Sequence, residues 1–440
     1  MQSTINVFLL KKTGESRRIY LRLPQPPLCS APRILALRTP MLALHNPDLK
    51  NILRQHHIGL LTIRADDNKL ILIVKMSKEI LLAMKLCNGF KMSFVEYESN
   101  DERAHALLTL IYDIPDEPLS LTNTFYDVPQ SRELIELLDQ ENFQVYGFDE
   151  HDREFFGRVA KISDIERFRE IKKTLVLRRH QSNTESNFED FINTCHHTAK
   201  NNNEQYTFSI DFTSTIYSEF THFLDTTRLI SSPSSELKPL HYSLERKEPG
   251  DQQEVDIFLL LKNIFGSDDV FLNPIRLDNG EEFSDVLVIT KAHILIIQAK
   301  DSPNTESSLS TSVDRKKKKT LSHLDKAIRQ LVGAINHARH NKVLRFKLKD
   351  SVIEVDLLGR EIVGLAVVKE LFDEDRRAYM TKLMEPYEAT GTPCSVLSYM
   401  DLHYYSCNVD ATAFFDVMGA VHAEGVKSGA MLKVKFQSNG

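Results

Sequence analysis

Two apolar segments in the C-terminal half of the chain end in polar residues that are suited to the hydrolysis of a phosphate ester. Asp285 opens the first segment, and Gln298 and Lys300 close the second, which reads AHILIIQAK. A tight connection at Thr290 to Ala292 predicts an antiparallel hairpin, in which the start of one strand lies beside the end of the other. Because side chains alternate along a strand, Gln298 and Lys300 share one face. A carboxylate, an amide oxygen and an ammonium group are therefore expected to meet.

Hydrolysis of a phosphodiester needs a divalent metal, an activated water and positive charge near the developing negative charge. Mg²⁺ prefers oxygen ligands, usually one or two carboxylates together with water and the substrate phosphate. Polar side chains at the margins of strongly apolar strands are costly to bury unless they have a role. The residue types therefore predict a site for Mg²⁺ or Mn²⁺. The structural alternative is that Asp285 caps a strand and Lys300 is a solvated strand end.

The elements that must position these residues are predicted from the flanking sequence. Asp251 is expected to cap a helix that ends at Gly266, and a strand is expected at Val270 to Ile275. After a basic loop, Ser322 is expected to open a helix whose apolar face carries Leu324, Ile328, Leu331, Ile335 and Ala338. Strands are then expected at Val352 to Leu358 and Ile362 to Val368. The predicted order is a helix, three strands, a helix and two strands, which is an α/β arrangement.

An aspartate, a dozen intervening residues and then Gln-Ala-Lys form a pattern that resembles the PD-(D/E)xK nuclease superfamily. Within it, the pattern is similar to the Mrr-like restriction endonucleases, which often use Gln-Ala-Lys. The resemblance covers about residues 250 to 370 and implies a restriction-endonuclease-like core of the order αβββαβ. It also implies that Asp285 binds the metal, with the Gln298 amide oxygen and the Ala299 carbonyl. Lys300 would orient or activate water and stabilise the pentavalent phosphate.

Glu254 is a further candidate, because many members of the superfamily carry a glutamate on the first helix. In this sequence Glu254 shares a helical face with Phe258, Leu261 and Phe265. An acid at the end of an apolar stripe would point towards the edge of the core, where the site is expected. The structural alternative is an exposed glutamate near a helix N-terminus, where negative charge is favourable in any case.

Positive charge follows the hairpin. Arg315, Lys316, Lys317, Lys318 and Lys319 are five consecutive cations, and near a phosphodiesterase site they are expected to contact phosphates. On the following helix, Lys326 and Gln330 occupy the polar side and are expected to touch the nucleic-acid backbone. The alternatives are a solvated loop and an ordinary exposed helix face.

The N-terminal half predicts an α+β region of unknown fold. Two strand pairs are expected at residues 58 to 75 and 142 to 162, with a helix between them at 131 to 138. We expect a recognition or regulatory region at residues 1–230, subdivided near 120 and by a polar stretch at 178–204. A linker rich in Ser and Pro is expected at 231–250, followed by the nuclease-like domain at 251–440.

Composition narrows the class of protein. The 440 residues carry a formal net charge of -6, which argues against coating nucleic acid through bulk charge. Five cysteines lie far apart without a CxxC pair, which argues against a disulfide framework or a cysteine zinc site and favours a reducing cytoplasm. Cys195-His196-His197 is better read as a loop than as a metal site. No segment has the ~20 apolar residues of a membrane span, and no nucleotide-binding or GxSxG motif occurs.

These expectations converge on a metal-dependent endonuclease that cuts DNA, in restriction or anti-phage defence. The alternative is a catalytically weak or inactive nuclease-fold subunit that clamps nucleic acid or serves as a scaffold for a companion protein. Gln298 keeps that alternative open, because it replaces the usual acid. RNA as the substrate and a homo-oligomeric state also stay open.

Overall fold

A computed structural model describes most of the chain as mixed α/β structure. The described residues are 4–8, 18–22, 33–34, 41–45, 47–55, 58–65, 68–99, 102–112, 119–125, 127–177, 206–217, 243–348, 351–434 and 436–437. The predicted loop at 178–204, with Cys195, His196 and His197, lies outside the described residues. So do residues 231–242 of the predicted linker.

The N-terminal region contains a short hairpin and a nine-stranded sheet. The hairpin consists of β1 Thr4–Phe8 and β2 Arg18–Arg22. The strands of the sheet are β3 Arg33–Ile34, β4 Gly59–Ala65, β5 Leu70–Lys75, β6 Gly89–Ser99, β7 Glu102–Ile111, β8 Leu119–Thr124, β9 Phe143–Phe148, β10 Glu154–Ile162 and β11 Thr207–Thr215. Both predicted strand pairs are confirmed as antiparallel pairs, β4 with β5 and β9 with β10.

Strands from both sides of residue 120 belong to this one sheet, whose order is β3-β4-β5-β9-β10-β11-β6-β7-β8. The suggested subdivision near residue 120 is therefore not a boundary between sheets. The strand order explains why sequence did not reveal this. β9 and β10, which are late in the chain, lie between early strands, and such long-range pairing leaves no local pattern.

Five helices accompany the nine-stranded sheet in the described residues. They are α1 Leu42–His45, α2 Pro47–Gln55, α3 Lys78–Leu86, α4 Pro129–Leu138 and α5 Ile165–Thr174. The hydroxyl of Ser77 and the carboxylate of Asp164 cap α3 and α5 by accepting backbone N–H groups. Apolar residues of these helices bury against the sheet, where the rings of Phe168 and Phe208 meet edge to face at 5.1 Å.

The C-terminal region contains the candidate hairpin. Its elements are α6 Gly250–Phe265, β12 Val270–Leu272, β13 Ile275–Arg276, β14 Val286–Ile289, β15 His293–Lys300, α7 Glu306–Leu309, α8 Val313–His340, β16 Val343–Leu348, β17 Ser351–Asp356, β18 Glu361–Val368, a 3-10 turn Asp373–Asp375, α9 Arg376–Thr390, β19 Cys394–Ser398, α10 Tyr399–Asn408, α11 Ala411–Ser428 and β20 Phe436–Gln437. The last strand, β20, pairs with β1.

A five-stranded sheet of order β12-β14-β15-β18-β19 forms the centre of this region. β12, β14 and β15 pair antiparallel, whereas β15 with β18 and β18 with β19 pair parallel. The predicted hairpin of β14 and β15 is confirmed, with Val286 opposite Ile297. Both strands are buried along nearly all of their length, as expected of strands that are covered on both faces.

Helices cover both faces because consecutive residues of these strands are apolar and point to opposite faces of the sheet. Leu295 and Ile297 pack with α6, α10 and α11, whereas Ile294 and Ile296 pack with α8 and α9. The predicted apolar face of α8 is confirmed, because all five of its residues are buried in the same cluster as Ile294 and Ile296: Leu324, Ile328, Leu331, Ile335 and Ala338. The face of the sheet that α8 covers is also the face that carries the candidate site.

Two predictions about this region are wrong. The helix does not open at Ser322 after a basic loop, because α8 begins at Val313 and its first turns contain the basic run. Lysine and arginine are good helix formers, so a charge run does not by itself indicate a loop. The predicted strand at 352–358 corresponds to β17, but β17 belongs to a separate sheet, β13-β16-β17, and β19 completes the central sheet.

Two boundaries also differ from the prediction. Pro249 is the N-cap of α6, without a side-chain cap hydrogen bond, and Asp251 lies inside the first turn of the helix. The strand predicted at 270–275 is interrupted at Asn273 and Pro274, so that β12 and β13 join different sheets. Proline lacks a backbone N–H, which makes it a natural point for a strand to leave a sheet.

Buried ion pairs connect the nine-stranded sheet region to the C-terminal region. Glu79, in the first turn of α3, accepts a 2.6 Å hydrogen bond from Lys316 Nζ, and Lys369 Nζ lies 2.8 Å from its other oxygen. Arg153, at the start of β10, binds Asp256 of α6 through both guanidinium nitrogens. The described part of the predicted linker also contacts the C-terminal region, because Arg246 and Asn304 exchange backbone hydrogen bonds of 2.7 and 2.8 Å.

Candidate active site

Asp285, Gln298 and Lys300 lie together at one margin of the five-stranded sheet, as the sequence predicted. Asp285 directly precedes β14, and because Val286 pairs with Ile297, Asp285 lies opposite Gln298. Alternation along the two strands directs all three side chains to the face of the sheet that α8 covers. The site therefore lies between the end of the hairpin and α8.

The carboxylate of Asp285 is the centre of the site. It is buried, and its Oδ2 accepts a 2.5 Å hydrogen bond from the backbone N–H of Ala299. Lys300 Nζ lies 3.7 Å from the same oxygen. Burial raises the pKa of Asp285 above its ordinary value, against the opposing effects of Lys300 and the Ala299 N–H. A divalent cation beside this carboxylate would favour its ionised form and offset the cost of burial.

The amide of Gln298 faces Asp285 directly. One terminal amide atom lies 3.1 Å from Asp285 Oδ1 and 3.3 Å from Oδ2. With nitrogen in that position, the amide donates hydrogen bonds to the carboxylate. With oxygen there, three oxygens converge, an arrangement that only a cation between them makes favourable. The two orientations have the same shape, so the presence of a cation decides between them.

The oxygens at this margin fit a magnesium-like ion that is held partly by water. In the part of the chain that the structure describes, no three His, Cys, Asp or Glu side chains are arranged to hold a metal ion. Mg²⁺ often uses only one or two carboxylates and keeps several water ligands, whereas structural zinc sites need four protein ligands. Ala299 contributes its N–H to Asp285, and the role of its carbonyl as a ligand stays a prediction.

Glu254 lies at the edge of the site on the first helix, α6. Its side chain is half-buried, and its Oε2 accepts a 3.1 Å hydrogen bond from Nδ2 of Asn273. Asn273 in turn donates its backbone N–H to the carbonyl oxygen of Asp285. Asn273 therefore links Glu254 to the strand of Asp285. The sequence analysis did not single out this residue.

Glu282 is a third carboxylate at this margin, and sequence reasoning missed it. It pairs with Ile275 across an antiparallel bridge, three residues before Asp285. Partial burial and then the charges of Asp285 and Glu254 raise the pKa of Glu282 to about 7, while Lys300 opposes them. Asp285, Glu254 and Lys300 are therefore all within electrostatic range of Glu282. The signal in the sequence was the acidic pair Glu281-Glu282 just before Asp285.

One flank of α8 adds positive charge on the other side of the site. Lys319, His323 and Lys326 are spaced by four and three residues and so share a helical face. Burial lowers the pKa of His323, and the charges of Lys319, Lys326 and Lys300 lower it further. This influence places Lys300 within electrostatic range of the flank. Lys326 and Gln330 are exposed, as predicted, whereas His323 was not foreseen.

The predicted basic run divides into two groups. Arg315, Lys318 and Lys319 are exposed. Lys316 is held in the buried ion pair with Glu79, and Lys317 lies 3.4 Å from Glu374. Lys316 and Lys317 thus have acidic partners within the chain, because successive residues of a helix face different directions. Phosphate contacts by the five cations stay a prediction.

Comparisons of the chain with known protein families, with curated proteins and with solved structures gave no match. Across the described ranges, no helix is both long and apolar enough to cross a membrane. The chemistry of the residues around Asp285 is therefore the basis for a functional proposal.

Proposed function

We propose that this chain is a metal-dependent endonuclease that hydrolyses DNA phosphodiester bonds at Asp285, Gln298 and Lys300. The observation that carries the proposal is the meeting of these three side chains on one face of two adjacent strands, around a buried carboxylate. Burial of a charged carboxylate is costly even with these partners, and a bound cation would offset that cost. The arrangement is explained if a cation and a phosphate are bound there.

The order of the elements supports a restriction-endonuclease-like core. Along the chain, and leaving aside the short helix α7 and the strands β13, β16 and β17 of the other sheet, α6 is followed by β12, β14 and β15, then by α8, and then by β18. The superfamily that the sequence pattern resembles implies the same succession, αβββαβ. The Asp285 and Gln298-Ala299-Lys300 segments also lie on the second and third of these sheet strands, which is where the pattern requires them.

Each residue has a role that its position allows. Asp285 and the amide oxygen of Gln298 would hold Mg²⁺ or Mn²⁺, with Glu254 acting on the metal through water. The ion would polarise the phosphate and lower the pKa of a bound water. The ammonium group of Lys300, 3.7 Å from Asp285 Oδ2, would orient that water and offset the charge that develops on the phosphate.

The α8 helix supplies a surface for the phosphate backbone. Five exposed cations lie on its solvent side: Arg315, Lys318, Lys319, Lys326 and Arg329. At ~1.5 Å per residue they span roughly 20 Å, about six base pairs of duplex. This surface includes Lys319 and Lys326, which lie on the flank of α8 within electrostatic range of Lys300. A nucleic-acid strand bound along it would therefore lead into the site. Restriction or defence against foreign DNA in the cytoplasm is the setting that we infer from the resemblance.

A second candidate function is a clamp or scaffold with a nuclease-like fold. It is favoured by one observation, which is that Asp285 Oδ2 already accepts from the Ala299 N–H while Gln298 supplies no charge. Such a subunit would bind nucleic acid, RNA included, or a companion protein without cutting. Cleavage assays separate it from the enzyme.

The direct test is cleavage of supercoiled plasmid and of linear duplex by the purified full chain with Mg²⁺, with Mn²⁺ or with a chelator. We expect cutting with either metal and none with the chelator. Binding of the duplex without cutting under all three conditions would favour the clamp. Parallel reactions with single-stranded RNA show whether the protein also cleaves a strand that contains ribose.

Replacing Lys318, Lys319 and Lys326 with Gln should weaken binding to every duplex sequence. Each phosphate contact contributes about 0.9 to the slope of log K against log salt, so the slope should flatten by roughly that amount per lysine. Gln preserves helix propensity. The matched control replaces Lys291, Lys342 and Lys347, which are also exposed but lie outside α8. Equal slopes for the two variants would remove α8 as the binding surface.

A further inference from the structure

Asn273 occupies the point where the chain leaves the central sheet directly opposite Asp285. β12 ends at Leu272, which pairs with Val286 of β14. The next residue, Asn273, donates its backbone N–H to the carbonyl oxygen of Asp285 at 3.0 Å. Pro274 follows, and the chain then enters β13 in the other sheet. Asn273 therefore connects the end of β12 to the backbone of Asp285 itself, and the bond from Phe283 N–H to the Pro274 carbonyl and the bridge of Ile275 with Glu282 continue from there.

The backbone of Asn273 is in the left-handed region, with a φ of 50°. Few residue types tolerate this conformation, and asparagine is one of them because its short polar side chain can bond locally. The turn directs the side chain away from the sheet and towards α6. There, Nδ2 donates a 3.1 Å hydrogen bond to Oε2 of Glu254. One residue thus links the strand of Asp285 to the carboxylate of Glu254.

The other end of the same amide has an unusual environment. Oδ1 of Asn273 is buried and accepts no hydrogen bond from any described residue. A buried oxygen without a donor is unfavourable, so the amide is not placed where it would stabilise the fold best. Glu282 lies within electrostatic range of both Asp285 and Glu254. Asn273, whose Oδ1 has no hydrogen-bond donor among the described residues, therefore lies near the carboxylates of the candidate site.

We propose that Asn273 is a positioning residue, which holds the carboxylate of Glu254 beside Asp285 so that Glu254 contributes to metal binding. This inference rests on the proposed function. By donating to Glu254, the amide offsets part of its negative charge, and the backbone N–H of Asn273 is bonded to the main chain of Asp285. Loss of the amide leaves Glu254 on α6 but removes this hydrogen bond, so the metal is bound more weakly while the fold persists.

The test compares Asn273→Gly, Asn273→Asp and Glu254→Ala in the full chain. Gly keeps the left-handed backbone and removes the amide, whereas Asp keeps the shape but replaces the donor with a like charge. Asn68→Gly is the control, because Asn68 also has a positive φ and lies in an exposed turn. The readouts are the rise in melting temperature caused by Mn²⁺ and the Mn²⁺ concentration for half-maximal plasmid cleavage.

We expect Asn273→Gly to raise the half-maximal Mn²⁺ concentration by roughly 10-fold or more, as is typical for residues that orient ligands. Asn273→Asp should raise it further, and Asn68→Gly should not change it. A merely structural role would lower the melting temperature without Mn²⁺ but leave the Mn²⁺-induced rise unchanged, and that result overturns the inference.

The failure of this inference is distinct from the failure of the proposed function. If Glu254→Ala and both Asn273 variants behave as the unchanged protein does while Asp285→Ala abolishes cutting, only the role of Asn273 and Glu254 is overturned. If the unchanged protein shows neither a Mn²⁺-induced rise nor cleavage, the metal site is overturned together with this inference.

Discussion

The Lys300→Ala variant should lose metal-dependent DNA cleavage, with a rate at least about 10²-fold below that of the unchanged protein. Lys300 is the ammonium group beside the candidate metal-binding carboxylate, 3.7 Å from Asp285 Oδ2. Its removal takes away the ammonium group that would offset the negative charge developing on the phosphate. Because the side chain is 26% exposed at a strand end, its loss should not disturb the core. The measurement is the single-turnover rate of plasmid nicking with saturating Mg²⁺.

Lys291→Ala is the matched control for this result. Lys291 lies in the turn of the same hairpin, at its opposite end, and is exposed. It should cut at the unchanged rate and melt at the unchanged temperature. If Lys300→Ala and Lys291→Ala cut equally fast, the site around Asp285 does not carry the reaction.

Asp285→Asn separates catalysis from stability at the same site. The amide oxygen of Asn can still accept the N–H of Ala299, but the variant has no charge to hold the metal. Burial raises the pKa of Asp285, which means that the folded protein resists its ionisation. The variant should therefore be inactive yet melt at or above the temperature of the unchanged protein without metal. Inactivity with a much lower melting temperature would indicate a structural role instead.

Glu79→Ala should lower the free energy of unfolding by up to about 3–5 kcal/mol, because it leaves two partly buried lysines without their shared carboxylate. Glu79 is held by Lys316 at 2.6 Å and by Lys369 at 2.8 Å. These contacts join α3 of the nine-stranded sheet region to α8 and to the end of β18. The measurement is urea unfolding at neutral pH, followed by circular dichroism.

Glu170→Ala is the control for an ion pair outside the core. Glu170 lies 2.6 Å from Lys173, but both side chains are about 70% exposed, so the loss should be below about 1 kcal/mol. Similar effects of the two variants would show that the contacts of Glu79 do not hold the regions together.

The contribution of Glu79 should also depend on pH. Burial alone would raise the pKa of Glu79, but Lys369 and Lys316 outweigh burial and hold it below the ordinary value of 4.5. A carboxyl whose folded pKa is depressed stabilises the protein above its unfolded pKa, and this contribution is lost as the pH falls through the folded value. The difference in stability between the unchanged protein and Glu79→Ala should therefore shrink below about pH 4.5.

The sequence by itself determined the elements whose evidence is local. β14 and β15 are short apolar runs joined by a tight turn, and successive side chains of a strand point to opposite faces, so their pairing and the meeting of Asp285, Gln298 and Lys300 follow from neighbouring residues. The apolar face of α8 follows in the same way from a period of 3.6 residues. In both cases the residues that decide the structure lie within about one helix or hairpin of each other.

The start of α8 shows the limit of local evidence. The run of five cations is compatible with a loop and with a helix, and only its surroundings decide between them. Lys316 and Lys317 are satisfied by Glu79 and Glu374, which are distant in sequence. Those contacts also remove two of the five cations from the surface that was predicted to bind phosphates.

Only the tertiary structure decided which strands share a sheet and which side chains surround the site. β19 lies beside β18, and β9 and β10 lie among earlier strands, because long-range pairing is selected by burial of whole faces. Asn273 and Glu282 lie near the site because the chain crosses there from one sheet to another, and no periodicity in the sequence encodes that crossing. Chemistry carried by one hairpin is visible in the sequence, whereas the groups that position and tune it come from distant segments and appear only once the chain is folded.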